Sequence, residues 1–186
     1  MKTITRFRTL CCSDLAIYYI IACLVLVGTG CSQSPEKRPS PIRLDSGQVG
    51  SAQLKIEYSS PRVRGRKIFG LGDSYLVQYS EIWRTGANEA TILSSSEDIR
   101  LDTFLLPKGK YSLFTIPGPK SWEVIINKEW DQWGAYYRKD SLDIIRLIVP
   151  AETQTSNEEN MEFNFDNNAL NFKWEKVSWS IPINSI

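Results

Sequence analysis

The chain has 186 residues, with 22 Lys and Arg against 21 Asp and Glu, a net charge of +1, and no histidine. This length leaves room for one ordinary domain, and the balanced charge provides no global field for nucleic acid or an anionic bilayer. The missing imidazole excludes Ser-His-Asp and Cys-His catalysis and a His-ligated haem.

The first fourteen residues carry Lys2, Arg6 and Arg8 against a single Asp14, and the run Leu15–Val27 that follows has no charge. As a helix that run would reach roughly 20 Å, short of the roughly 30 Å hydrocarbon core of a bilayer. It therefore reads as the apolar region of a signal peptide and not as a permanent span. Gly28-Thr29-Gly30-Cys31 resembles a bacterial lipobox, with Gly28 where Leu is usual. Small side chains there suit the lipoprotein signal peptidase, and the Cys31 thiol accepts a diacylglycerol; several acyl chains on one residue make a firm anchor. The expected organisation is a signal peptide over 1–30, a lipidated Cys31 with a Ser-, Pro- and charge-rich tether over 31–50, and one domain over 51–186.

Cys11, Cys12 and Cys23 leave with the signal and Cys31 is consumed by lipid. The mature domain is then expected to hold no thiol, no disulfide and no His/Cys metal site, and no cofactor is expected. Its charge becomes −1, from 19 basic and 20 acidic side chains once three basic and one acidic residue are removed. Ser32, where an Asp would favour the inner membrane, points to the outer membrane of a Gram-negative host.

From Ser51 the chain reads as short strands. Leu54, Ile56 and Tyr58 alternate with polar neighbours, the period of a half-buried strand. A loop punctuated by Pro61, Gly65 and Gly70 follows, then YLVQYSEIW, the segment RTGANEA and the strand-like TILSS. Ile99, Leu101 and Phe104 suggest a strand broken near Asp102-Thr103. Tyr111–Ile116 is apolar on both faces, as in a strand covered on both sides, and Pro117-Gly118-Pro119 stops it before the return strand SWEVIINK. The region 128–140 is the least regular and admits a short helical turn. DIIRLIVP adds a strand. Met161, Phe163 and Phe165, then Leu170, Phe172 and Trp174, alternate with polar residues around Asn167-Asn168, which tolerate the left-handed angles of a tight turn. VSWSIPI reads as a last strand, with Pro182 placing its tail at an edge. About eight to ten strands without a helical stripe predict an all-β, antiparallel sandwich or jelly-roll-like fold.

The strings SSPRVRGRKIFG (59–70), WRTGANEAT (83–91), LPKGKYSLFTIPG (106–118), WEVIINKEWDQWGAY (122–136) and FKWEKVSWSIPI (172–183) stand in this order. Together they resemble the bacterial envelope family known as domain-of-unknown-function family 2911, over roughly residues 51–183. The resemblance implies a secreted or lipid-anchored all-β domain and brings no activity with it.

RTGANEA is the strongest candidate site. Arg84 offers a fork suited to carboxylate or phosphate, Asn88 and Glu89 suit sugar hydroxyls or amides, and Trp83 would be an apolar platform. The structural alternative pairs Arg84 with Glu89, uses Asn88 in a turn and buries Trp83. Arg62, Arg64, Arg66 and Lys67 form a basic cluster in which Arg66 is the candidate contact, unless the cluster is simply a solvated loop. Among Trp122, Trp130, Trp133, Tyr136 and Tyr137, strand-borne Trp122 is expected in the core, while Trp133 is the candidate for stacking on a sugar. FDNN (165–168) carries oxygen ligands for weak Ca²⁺ binding, but a hairpin turn explains it better, and no metal site is assigned.

The favoured reading is a non-catalytic module on a lipid tether that recognises a glycan, a peptide or another envelope component, with no nucleic-acid partner. The alternative is a glycan hydrolase built on carboxylates, which needs Glu89 to face Asp73 or Asp131. A third reading is a scaffold that packs on another envelope protein through an apolar patch.

Overall fold

A computed structural model describes residues 38–186; Cys31 and the signal-peptide segment lie outside the described residues. The strands are β1 (Ile42–Val49), β2 (Ala52–Ser59), β3 (Phe69–Gly70), β4 (Val77–Gln78), β5 (Thr91–Ser95), β6 (Ile99–Leu101), β7 (Phe104–Leu106), β8 (Gly109–Ile116), β9 (Ser121–Asn127), β10 (Asp143–Pro150), β11 (Glu152–Asp166) and β12 (Ala169–Ser185). A single 3-10 turn, Asp140–Leu142, falls in the irregular region. No helix among the described residues is long and apolar enough to cross a membrane.

The expected all-β sandwich is present. One open sheet has the order β1-β2-β5-β8-β9-β10 and the other β11-β12-β6-β7, with every neighbouring pair antiparallel. The count exceeds the expected range because of short pieces, among them β3 and β4, a two-residue parallel pair. Alternation sends Leu54, Ile56, Leu93, Leu113, Trp122 and Val124 inward from the first sheet. Phe163, Phe172, Trp174 and Trp179 come inward from the second, and all belong to one buried cluster. Trp122 meets Phe172 at 5.2 Å between ring centroids, and Phe172 stacks on Trp179 at 5.0 Å. Such aromatic pairs contribute about 0.5–1.5 kcal/mol each beyond their buried area. This core holds without a disulfide.

Strand β8 is covered on both faces, as its sequence predicts. Its outward Phe114 joins Ala90 and Ile125 in a second small cluster that also takes in Ala135. The β11–β12 hairpin turns at Asn167 and Asn168, both left-handed with φ of 51° and 53°. Phe163 faces Phe172 across it, and Glu162 faces Lys173. VSWSIPI is the continuation of β12 past Glu175, whose φ of 55° accompanies shifts in the β11–β12 register. The register of β12 with β11 ends at Ser178, and beyond Pro182 its tail pairs with β6 alone. Pro182 precedes the Ile183–Ser185 pairing with β6, where its missing N–H removes no ladder bond.

The largest departure from the sequence reading is β1. The sequence places residues 42–49 in the tether, yet they pair residue for residue with β2. The reason is an inverted pattern. Arg43, Asp45 and Gly47 are the half-buried positions, while Ile42 and Leu44 face outward. Arg43 pairs with Glu162 at 3.0 Å, and the Tyr58 hydroxyl donates to Asp45 at 2.8 Å. Gly47 lies so close to β11 that a Cβ there would stand 2.3 Å from the Cβ of Phe165. A strand whose covered side is polar carries no apolar alternation to announce it.

Candidate functional site

The segment Trp83–Ala90 links β4 to β5 and is held by its backbone. Trp83 exchanges backbone hydrogen bonds with Thr115 at 2.8 Å in each direction, and Thr91 N–H donates to the Arg84 carbonyl at 3.2 Å. Thr85 is fully buried with a φ of 52°, a conformation costly for a β-branched residue. Its hydroxyl shares a hydrogen bond with that of Thr115 at 3.0 Å, and its carbonyl accepts from the Thr91 hydroxyl at 2.7 Å. Asn88 is also left-handed, with φ of 58°. The left-handed turns therefore fall on Thr85 and Asn88, while Gly86 serves close approach: a Cβ there would sit 3.2 Å from the Ser59 carbonyl.

The irregular stretch 128–142 folds back over the outer face of the first sheet and docks on this segment. Ala90 N–H donates to the Gln132 carbonyl and Gly134 N–H to the Asn88 carbonyl, each at 3.1 Å, so Glu89 and Trp133 stand opposite one another as a bridge. The far end of the stretch is fastened by charge. Arg138 places Nη1 2.6 Å from both carboxylate oxygens of Asp143, and these side chains are only 8 % and 6 % exposed. Asp143 also accepts from Asn127 at 2.7 Å and from Arg146 at 2.9 Å, while the Arg138 guanidinium lies over the Phe114 ring at 5.8 Å.

Between this docked stretch and β1 runs a groove along the outer face of the sheet. One part, of about 310 Å³, is bounded by Ile42, Glu57, Glu89, Asp131 and Trp133. It continues past Trp130 and Ile92 into a wider part of about 660 Å³ walled by Leu44, Lys55 and Lys110. Trp133 is 60 % exposed and Trp130 39 %, and the Lys110 ammonium braces Trp130 at 4.8 Å from its ring centre. The outward apolar face of β1 is thus one wall of the groove.

Glu89 sits at the rim. Arg38 Nη2 contacts both of its carboxylate oxygens at 2.8 Å, and the Ser59 hydroxyl donates at 3.0 Å. Burial opposes ionisation, but the hydrogen bonds from Arg38 and Ser59 outweigh it and hold this carboxyl below the usual glutamate range. Glu89 is therefore an ionised acceptor at neutral pH.

The six candidates do not converge on one point. Glu89 and Trp133 share the groove. Asn88 contributes its carbonyl and a left-handed turn beneath them. Trp83 is not a platform: it is 8 % exposed, stacks on Trp174 at 5.7 Å and donates its indole N–H to the Gly86 carbonyl. Arg84 and Arg66 line a separate cleft on the other side of the segment, with Trp83 in its wall. The expected internal pair, Arg84 with Glu89, does not form, because Arg38 from the segment read as tether occupies Glu89 instead.

Arg66 donates to the carbonyls of Val63 and Arg62, and Arg62 donates to Asn160, so much of the basic cluster binds backbone and amide oxygens. Asp131 lines the groove with Glu89, whereas Asp73 lies in an exposed turn bonded to Gln78 at 3.4 Å. Asp166 of the FDNN run accepts from the Asn167 backbone and amide. Among the described residues no three His, Cys, Asp or Glu side chains group as a metal site. The sequence reading missed Ile42, Leu44, Ile92 and Arg38, which carried no local signal.

A family model described as a protein of unknown function (DUF2911) matches residues 40–183, and the chain belongs to that family. No curated protein and no solved structure matches it.

Proposed function

We propose that this DUF2911 protein is a non-catalytic glycan-binding module of the bacterial envelope, held at the membrane by lipid on Cys31 and facing its ligand through the groove between β1 and the 128–142 stretch. The observation that carries this reading is the presentation of Trp133 and Trp130 over an apolar floor, with the Glu89 and Asp131 carboxylates at the rim. Flat aromatic faces accept the C–H side of a sugar ring, and ionised carboxylates accept hydrogen bonds from its hydroxyls. The anchor and the outer-membrane location rest on residues 1–32 of the sequence.

The test is titration of the full-length chain in detergent against a panel of neutral and acidic oligosaccharides, read by tryptophan fluorescence and calorimetry. Trp133→Ala is expected to weaken binding at least roughly tenfold, the loss of about 1.4 kcal/mol or more. Its thermal midpoint should stay unchanged, because the ring is 60 % exposed. Undiminished affinity of Trp133→Ala for every oligosaccharide that binds would remove the groove as the site.

Glu89 and Asp131 in one groove also favour a second reading, carboxylate-dependent glycan hydrolysis. Glu89, held ionised, suits the base or nucleophile of such a reaction, with Asp131 as the second carboxyl group. New reducing ends that form with the native chain and vanish with both Glu89→Gln and Asp131→Asn would establish it.

A further inference from the structure

Beyond walling the groove, the 128–142 stretch carries a patch of outward aromatic rings. Ala135 packs on the cluster of Ala90, Phe114 and Ile125, and Arg138 is fastened to Asp143. Between these two inward contacts Tyr136 and Tyr137 are turned out, 92 % and 76 % exposed, with Trp133 close by in sequence at 60 %. Neither tyrosine belongs to the lining of the groove. Large rings held out on a fastened backbone mark an interaction surface, because exposed apolar groups gathered in one place have a cost in water.

Two observations point to the partner. The first is chemical. Lys128, Arg138 and Lys139 are balanced by Glu129, Asp131 and Asp140, so the stretch offers no net charge to a charged partner. Trp and Tyr have an apolar body and a polar tip, which suits the headgroup level of a bilayer, where one end is dry and the other wet. The second is the place where the chain enters the domain. Arg38 contacts Glu89 at 2.8 Å, and Glu89 stands opposite Trp133, so the entry lies beside the aromatic patch. Cys31 is seven Cα steps earlier, at most about 25 Å away. Lipid on Cys31 would keep this end of the domain within that reach of the bilayer.

We infer that the Trp133–Tyr137 patch docks on the lipid surface that receives the Cys31 anchor, seating Tyr136 and Tyr137 at headgroup level. The inference rests on the proposed anchor and is independent of the glycan reading of the groove. Backbone fastening leaves little ordering to be done on docking, since only the ring rotamers remain to be fixed. Docking would also set the groove opening along the membrane surface, beside whatever is rooted there. Because the local charge is balanced, the contact should respond neither to salt nor to anionic lipid.

The test uses the full chain expressed in a Gram-negative host, with the mass of the purified product reading the lipid on Cys31. The product is placed in vesicles of phosphatidylcholine, with or without phosphatidylglycerol. A nitroxide is attached at Tyr137→Cys in one variant and at Leu105→Cys in another, the latter 53 % exposed on β7 of the other sheet. Collisions with a water-soluble nickel chelate and with oxygen report depth. The label at 137 should meet nickel several-fold less often than the label at 105, and oxygen more often, in both vesicle types and at high salt. Adding Trp133→Ser and Tyr136→Ser to Tyr137→Cys should bring its nickel collisions up to the level at 105, with the thermal midpoint unchanged, because both rings are exposed. A lipidated chain whose label at 137 is as open to nickel as the label at 105 would remove the docking and leave the anchor standing. Protection that needs phosphatidylglycerol, or that salt abolishes, would overturn the aromatic basis. Dipolar broadening between labels at 137 in dilute vesicles would assign the patch to a second copy of the chain instead. A product without lipid on Cys31 would remove the anchor and this inference together.

Discussion

The Arg138–Asp143 pair is expected to hold the aromatic stretch on the sheet, and a double-mutant cycle measures how strongly. The two side chains are 8 % and 6 % exposed and meet at 2.6 Å. At an effective dielectric of about 20, unit charges about 4 Å apart attract by about 4 kcal/mol. Removing one member of a buried pair commonly costs about 3–5 kcal/mol, because the other charge stays behind. Asp143 keeps Asn127 and Arg146, so the cost here should fall lower. Arg138→Met is expected to destabilise by about 2–3 kcal/mol, and Asp143→Asn, which leaves Arg138 only its exposed partner Asp140 at 2.9 Å, by a similar amount. The double variant should be less destabilised than the sum, with a coupling of about 2 kcal/mol.

Urea unfolding followed by tryptophan fluorescence yields the energies. Hydrogen exchange locates them, because the Gly134 and Ala90 amides are protected only through the docked stretch. Arg138→Met should accelerate exchange at these two amides and leave those of the β2–β5 ladder slow. Additivity of the two substitutions within about 0.5 kcal/mol, or unchanged protection at Gly134, would refute the fastening role.

Gly47→Ala tests the place of β1: the added Cβ would stand 2.3 Å from the Cβ of Phe165, so thermal melts should show a loss of about 1–3 kcal/mol, whereas a free tether would register nothing. Tyr58, Tyr79 and Tyr111 are raised above the ordinary tyrosine value of 10.0, chiefly by burial. Their folded values exceed their unfolded ones, so their stabilisation is complete below about pH 10 and lost as pH rises further; tyrosinate absorbance from Tyr58, the most strongly raised, should appear only with unfolding, and Tyr58→Phe should flatten the alkaline loss. Glu123 is held below the ordinary 4.5 by hydrogen bonds from Arg146, against burial, so its contribution is present above 4.5 and fades as pH falls. Urea midpoints of Glu123→Gln should accordingly decline less than those of the native chain on acidification from about pH 5 to pH 3.

Residues whose environment is set by near neighbours in sequence are readable from sequence. Phe163/Phe165 and Leu170/Phe172/Trp174 announce a hairpin because alternation and the Asn-Asn turn agree. Tyr111–Ile116 announces a doubly covered strand because both faces are apolar. β1 was hidden because its covered face is Arg43, Asp45 and Gly47, whose partners Glu162 and Phe165 lie more than a hundred residues away. For the same reason the sequence offers nearby Arg84 as a partner for Glu89, when the partner is Arg38, 51 residues distant. The groove belongs to no single segment: β1, β2, Glu89 and Ala90, β5, β8 and the 128–142 stretch all contribute to its lining, and only strand order brings them together.

The contact of Arg38 with Glu89 pins the chain's entry to the domain at the lip of the groove. Seven Cα steps lead from Cys31 to Arg38, a span of at most about 25 Å for any chain. With lipid on Cys31, the groove would patrol a thin shell above the bilayer, and a glycan rooted in the same surface would meet it as if at far higher concentration than the same sugar free in solution. On the proposed anchor and ligand, modest intrinsic affinity would then suffice for capture. Lengthening that span, without touching a single residue of the groove, would loosen the grip by dilution alone.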